Sequence, residues 1–279
     1  MFVWLASYPK SGNTLVRSML ASYFFSDDGK FNFNLLNNIL QFPYVGLFKK
    51  IGVDIKNEKE VIKNYIKVQQ YINKKSSIQF LKTHSYLFNI NKNAFTNLNL
   101  TLGVVYVVRD PRNVLLSASN HNQVTQEQMF ETMFKSHILG SKNSNNLITY
   151  NGTWASNYNS WKSFKNINKY LLIKYEDLIS DKENTFKKIL KFIHKLNGSN
   201  FVLNEKKFKN IIETTDFKKM QKLEEQTGFA ESMVNKKTGK KVKFFNLGSE
   251  NKWEKFLNKD LQKKIEESFK DEMIELGYL

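Results

Sequence analysis

The residues most able to do chemistry lie in Ser7-Tyr8-Pro9-Lys10-Ser11-Gly12-Asn13-Thr14. A short apolar run, FVWLAS, precedes them, and a helically spaced apolar pattern follows. A strand, a tight turn and a helix in that order place the N–H groups of the helix start beyond the strand end, where the helix dipole favours an anion. Gly12 permits close backbone approach, Lys10 adds a movable point charge, and Ser11 and Thr14 add hydroxyls. This is phosphate-binding chemistry, but the order is not Walker A, in which the lysine follows the second glycine of G-x-x-x-x-G-K-[ST]. Here Lys10 precedes Gly12. The alternative for the same residues is an ordinary capped turn between a strand and a helix.

A second segment, Val107-Val108-Arg109-Asp110-Pro111-Arg112-Asn113-Val114-Leu115-Leu116-Ser117, again leaves a strand and enters a helix, with Pro111 at the helix start. Ligands of open parallel sheets bind outside the carboxyl ends of the strands. A guanidinium fork at Arg109 and a hydroxyl at Ser117 can converge there on a second phosphate. The competing reading for Arg109 is a salt bridge to Asp110 or Glu176. Nothing in the sequence resembles a Walker B carboxylate that would hold Mg²⁺.

With both segments present in this order, the chain resembles the sulfotransferases that use 3′-phosphoadenosine 5′-phosphosulfate (PAPS). Their 5′ loop reads roughly YPKSGTTW, and here it is YPKSGNTL. Their 3′-phosphate motif reads roughly Y-x-x-R-[ND]-P-x-[DN]-V-x-x-S, and Tyr106 to Ser117 follows it almost throughout. The resemblance covers essentially the whole chain. It implies transfer of the sulfuryl group to a hydroxyl or amine acceptor, with release of adenosine 3′,5′-bisphosphate (PAP).

The resemblance also implies roles for individual residues. In Lys82-Thr83-His84, His84 is the general base, a role suited to an imidazole that titrates near neutrality. Lys10 stabilises the bridging oxygen, and Lys82 assists near the sulfuryl oxygens. The backbone at Ser11, Gly12, Asn13 and Thr14 holds the 5′-phosphate, while Arg109 and Ser117 hold the 3′-phosphate. Tyr175 of Tyr175-Glu176-Asp177 contacts the adenosine, with Glu176 and Asp177 holding the loop. Thr214-Thr215-Asp216-Phe217-Lys218-Lys219-Met220 resembles a T-S-F-x-x-M segment, which assigns Thr215 and Phe217 to adenine; plain core packing is the alternative for Phe217. Phe244 to Trp253 aligns with R-K-G-x-x-G-D-W, matching at Gly248 and Trp253. Asn246 and Leu247 replace the Arg-Lys pair that grips the 3′-phosphate. Lys240, Lys241, Lys243 or the N–H groups at Gly248 are the candidate substitutes. Leu15 stands where the family has a tryptophan stacked on adenine, which predicts weaker or rearranged stacking. No metal is implied, because cationic side chains fill that role. His121, His137 and His194 lack a strand-end context, and His137 and His194 fall in helical patterns.

The elements that must position these groups alternate. Strands are expected at 2–7, 78–82, 104–108 and 171–174. Helices are expected at 14–25 and 111–121, and others follow capping boxes at Thr125–Gln128 and Ser180–Glu183, the latter running to about Leu196. Residues 31–75 carry helical patterns broken near Pro43 and Gly52. Helices are also expected at 204–214, 216–225 and 258–275, with a polar, Lys-rich mobile loop or lid at 226–250. This order predicts an α/β fold: a single domain over 1–279 with a central, mostly parallel sheet flanked by helices, P-loop-like in the manner of nucleotide kinases. The acceptor pocket is expected from 26–75, 122–160 and 218–245, which suit an alcohol, a phenol, a sugar or a lipid head as acceptor.

Composition bounds the remaining classes. The chain has 279 residues, 41% of them hydrophobic, and no cysteine, so a packed core is available while disulfides and thiolate chemistry are excluded. The net charge of +17 comes mostly from lysine, because arginine occurs only at 17, 109 and 112. Dispersed lysine reads as solvated surface rather than a specific nucleic-acid reader. No apolar run is long enough to span a membrane, and the N-terminus lacks a basic leader, so a cytoplasmic address is expected. Two alternatives remain open at this level: a P-loop nucleotide kinase, and a non-catalytic basic module that binds nucleotide or nucleic acid.

Overall fold

Five parallel strands form the central sheet in the spatial order Leu40–Gln41, Gln79–Thr83, Phe2–Ser7, Thr101–Val108, Tyr170–Lys174. The computed structural model describes residues 1–73, 78–135, 137–139, 147–235 and 238–279. The Phe2–Ser7 strand lies in the middle and is buried over its whole length. Its alternate side chains enter two different cores: Phe2, Trp4 and Ala6 face one, Val3 and Leu5 the other. A strand covered on both faces has no polar side to show, which is why FVWLA reads as a continuous apolar run. On one face Trp4 packs against the rings of Phe42, Phe95 and Trp161. On the other, Val16 and Leu20 of the Asn13–Phe25 helix share one core with Phe186 and Ile189 of the Lys182–Leu196 helix.

The expected strand–helix alternation is present, with differences that have local causes. Within 31–75 the structure adds a 3-10 turn at Phe33–Asn38 and a two-residue edge strand at Leu40–Gln41, paired to Leu81 and Lys82, where only helix was expected. Three short helices follow, at Val45–Lys50, Glu58–Lys63 and Tyr65–Ile72. Thr125 closes the expected capping box with Gln128. The second box shifts by one residue: Asp181 is the N-cap, accepting from the Asn184 N–H, because Ser180 still belongs to the preceding Tyr175–Ser180 helix. His137 opens a short strand, His137–Leu139, antiparallel to Thr149–Gly152, so the helical reading there is corrected. A helix at Trp154–Lys162 carries its own capping box at Thr153. The C-terminal helix is two pieces, Lys259–Ser268 and Lys270–Glu275. Of the stretches expected to form the acceptor pocket, 74–75, 136, 140–146 and 236–237 lie outside the described residues. Among the described residues no helix is long and apolar enough to cross a membrane.

Candidate active site

Sheet register brings the sequence motifs together. Leu5 pairs with Lys82, Ala6 with Thr83, and Ser7 with Val107, so three neighbouring strands end at one level. Beyond those ends lies a cavity of about 630 Å³. Lys10, Gly12, Asn13 and Thr14 line it from the first loop, and Lys82 and His84 from the second strand. Arg109 and Ser117 line it from the third, and Tyr175, Thr215, Phe217 and Gly248 complete its wall. Ser11 is the exception: it is fully buried, does not line the cavity, and its Oγ has no hydrogen-bond partner among the described residues.

The first loop is shaped for close approach. Gly12 is the N-cap of the Asn13–Phe25 helix, with φ 99°. A Cβ there would be strained by the backbone and would collide with the edge of the Tyr175 ring at Cδ2. The Arg109 guanidinium lies 4.2 Å from the centroid of the same Tyr175 ring, and its Nη1 donates to the Lys10 carbonyl at 3.4 Å. Asn13 does not send its amide into the cavity; it donates to the Leu5 carbonyl and to Ser7 Oγ, tying loop to strand.

Among the described residues, neither Asp110 nor Glu176, the expected competitors, pairs with Arg109. Asp110 pairs with Arg112 at 2.7 Å, and Arg112 also reaches Glu266 and lies over Trp253. Glu176 accepts from the Asp110 N–H and the Tyr278 hydroxyl, which is the loop-holding role expected of it. Arg109 Nε is buried without a partner, so the guanidinium has donor capacity directed to nothing else among the described residues.

His84 has a defined tautomer. Its Nδ1 lies 2.9 Å from the Ser7 carbonyl oxygen, an acceptor only, so Nδ1 carries the proton and Nε2 keeps its lone pair. Asn157 holds the segment by donating to the His84 carbonyl, and it accepts from the Tyr106 hydroxyl at 2.8 Å. Burial pushes the His84 imidazolium down to about 3, with the Lys82 charge adding to the effect and the Ser7 hydrogen bond opposing it. The ring is therefore neutral at physiological pH, as a proton acceptor must be.

The cations are arranged unequally. Lys10 lies 3.9 Å over the Phe244 ring, and burial draws it down to about 7, with Glu231 opposing and Lys82 and Arg109 adding to the shift. Lys82 is almost wholly buried and ion-paired to Glu231 at 3.1 Å. Glu231 also accepts from Arg17 at 2.6 Å, and these two cations hold it near 2 despite its burial. Glu231 belongs to the 226–250 stretch read from sequence as a mobile loop or lid, and the stretch was not expected to put a carboxylate among the active-site cations.

The remaining expectations divide. Thr215 is buried and donates to the Ile211 carbonyl at 2.7 Å, while still bordering the cavity. Phe217 borders it too, pressed against Gly248, where a Cβ would sit 2.7 Å from its ring. Leu15, Asn246 and Leu247 also face the cavity. Of the three lysines offered as substitutes for the Arg-Lys pair, Lys243 alone lines the cavity, and it is paired to Glu225 at 2.7 Å. Lys182 and Lys218, not singled out from sequence, line it as well. So does His121, which lacks a motif but stands one helical turn beyond Ser117, on the same face of the Pro111–Asn122 helix. That i, i+4 spacing was the available signal; for Glu231 there was none.

Known proteins of this shape and sequence agree with one another. The family model of the sulfotransferase domain matches residues 2–277. The chain belongs to the sulfotransferase family. Luciferin sulfotransferase of Photinus pyralis is 23% identical over 272 residues, covering 94% of this chain and 69% of that protein. Sulfotransferase 2A6 of Mus musculus is 31% identical over 96 residues, a match that spans only 31% of the mouse protein's length. Among solved structures, retinol dehydratase in complex with androsterone and PAP superimposes with a TM-score of 0.61 at 18% identity, covering 98% of this chain and 80% of that one. Mouse sulfotransferase SULT7A1 complexed with PAP gives a TM-score of 0.54 at 14% identity, covering 97% and 84%. At these identities the two structures establish the shared fold.

Proposed function

We propose that this chain transfers a sulfuryl group from PAPS to a hydroxyl, or an amine, of a small acceptor and releases PAP. The observation that carries this reading is one cavity at three strand ends with Arg109, which has no carboxylate partner among the described residues, on its wall together with a His84 whose Nε2 lone pair is available. Family membership and the PAP-bound neighbours support the donor. The residues present fit it: a helix start for one phosphate, and Arg109 with an unused buried Nε for another.

PAPS supplies an activated sulfur, and the protein supplies position and charge. His84 Nε2 takes the proton of the attacking hydroxyl as the acceptor oxygen–sulfur bond forms. The bond from sulfur to the phosphate oxygen breaks on the opposite side, and Lys10 stabilises the charge left on that oxygen. An imidazole held near 3 is a weak base. An anion beside Lys10 and Lys82 offsets the two cations that help to depress it, so His84 gains basicity when the donor is bound. Gly12, Asn13 and Thr14 present helix-start N–H groups, Ser117 adds a hydroxyl beside Arg109, and Tyr175, Thr215, Phe217 and Gly248 form the wall for the adenosine. Ser11 contributes backbone only. The reading retains the cytoplasmic address and the single domain expected from sequence.

The test is ligand-induced stabilisation. PAP should raise the melting temperature well beyond ATP or ADP, because a ligand that binds only the folded state stabilises it by mass action. Arg109→Ala should erase the preference for PAP over ADP, a loss of roughly 1.5–3 kcal/mol for a charged hydrogen-bonded contact. Equal shifts with PAP and ADP in the unaltered protein would refute a 3′-phosphate site.

A further inference from the structure

Two imidazoles reach the cavity, and they are wired in opposite ways. His84 Nδ1 has the Ser7 carbonyl as its acceptor, which leaves Nε2 as a lone pair. His121 Nδ1 is buried and has no hydrogen-bond partner among the described residues. A buried N–H with no acceptor is rarer and costlier than a buried acceptor with no donor. The proton of a neutral His121 therefore resides on Nε2, the nitrogen left for the cavity that the residue lines. The ring is neutral at physiological pH: burial draws it down to about 4, Lys10 and Lys82 add to the shift, and Glu231 opposes it. His121 is thus a donor where His84 is a base.

Charge complementarity says what such a donor meets. The anionic groups of the sulfuryl donor have Lys10, Arg109 and the Asn13–Phe25 helix start to answer them. His121 stands edge-on to the Phe244 ring, 5.6 Å between centroids, with Leu116 on the same cavity wall. A neutral N–H beside apolar surface suits an uncharged oxygen. Size narrows the partner further. Cavities of about 300–1,000 Å³ ordinarily take one drug-sized ligand. This one, of about 630 Å³, must take the nucleotide and the acceptor together.

Resting on the sulfotransferase reading, we propose that His121 is an acceptor-specificity residue: its Nε2–H donates to an uncharged oxygen of a small phenol or alcohol, distinct from the hydroxyl that is sulfated. Oxygenated acceptors are then preferred over analogues in which that oxygen is a methylene.

The experiment uses the full chain saturated with PAP, and calorimetry of the three methoxyphenol isomers against the three ethylphenol isomers, which differ by one ether oxygen. At least one methoxyphenol should bind about three- to tenfold more tightly than its ethyl counterpart, the worth of one neutral hydrogen bond. His121→Phe, which keeps an aromatic ring and removes the donor, should abolish that preference; His121→Gln, which keeps a donor, should restore part of it. No preference at any position, no binding of any of these phenols, or a preference that survives His121→Phe overturns the proposal. Imidazole ¹⁵N spectra of the unaltered protein provide a second, ligand-free arm: His121 should be the Nε2–H tautomer and His84 the Nδ1–H tautomer, and the reverse at His121 overturns it as well. Failure of PAP to bind is a different result. It counts against the sulfotransferase reading, while the tautomer measurement still decides the state of His121.

Discussion

The floor and the roof of the cavity are built on different principles. The floor consists of strand ends and helix starts: Ser7, Gly12, Lys82, His84 and Arg109 are placed by backbone register, and the carbonyls of Ser7 and Lys10 accept from His84 and Arg109. The roof, residues 228–235 and 238–251, has a bridge between Val234 and Lys241 and a 3-10 turn at Gly248–Glu250, and side chains attach it to the rest of the molecule. The Glu224 carboxylate accepts from the Phe244 and Phe245 N–H groups and from Ser232 Oγ, and Phe229 stacks on Phe33 at 4.6 Å. Glu231 then ties the roof to Lys82 and Arg17. A register is maintained by many backbone hydrogen bonds at once. A roof attached by a few carboxylates, amides and aromatic contacts is an element that a ligand or a single substitution can shift.

Substitutions on each side should separate these roles. On the floor, His84→Ala should lower sulfuryl transfer by ~10²–10⁴-fold, the usual range for a lost general base, with PAP affinity close to normal. Near-unchanged turnover with a verified acceptor would return His84 to a structural turn residue.

On the roof, Glu231→Ala should cost about 3 kcal/mol, because it leaves Lys82 and Arg17 as buried cations without a carboxylate. Denaturant melts would read the loss, and amide exchange should quicken first within 228–245. If both stay as in the unaltered protein, the aromatic contacts alone hold the roof and the contrast with the floor fails.

The smallest effect concerns Lys10, which bridges floor and roof by lying over Phe244. In the free protein burial draws its ammonium down to about 7. A bound anion favours the charged form and raises that value, so binding takes up a proton above pH 7 and affinity falls as the pH rises. The dissociation constant of PAP should grow on the order of tenfold between pH 7 and 9 and stay flatter in Lys10→Met. A profile that is equally steep in the variant would place the titrating group elsewhere.

Most of the floor was legible in the sequence. YPKSG and the Tyr106–Ser117 segment each follow a strand and open a helix, so their local order already fixes which way their donors point. Asn13 and Ser11 show the limit of that reasoning. Both fall in the phosphate loop, yet one amide turns back to Leu5 and Ser7, and the other side chain is buried away from the cavity. A loop motif specifies a backbone path; the packing around it decides where each side chain goes.

What the sequence determined by itself is the set of groups that follow from local order: strands, helix starts, the lysine before the glycine, the histidine after Lys82-Thr83. Tertiary structure alone decided that Glu231 sits between Lys82 and Arg17, that among the described residues Arg109 has no carboxylate of its own while Arg112 has two, and that His121 faces the same cavity as His84. The physical reason is range. Hydrogen-bonded backbone geometry depends on neighbours a few residues away, whereas ion pairing and burial act between residues such as Arg17 and Glu231 that are 214 positions apart in the chain and meet only when the cores on both faces of the sheet have closed.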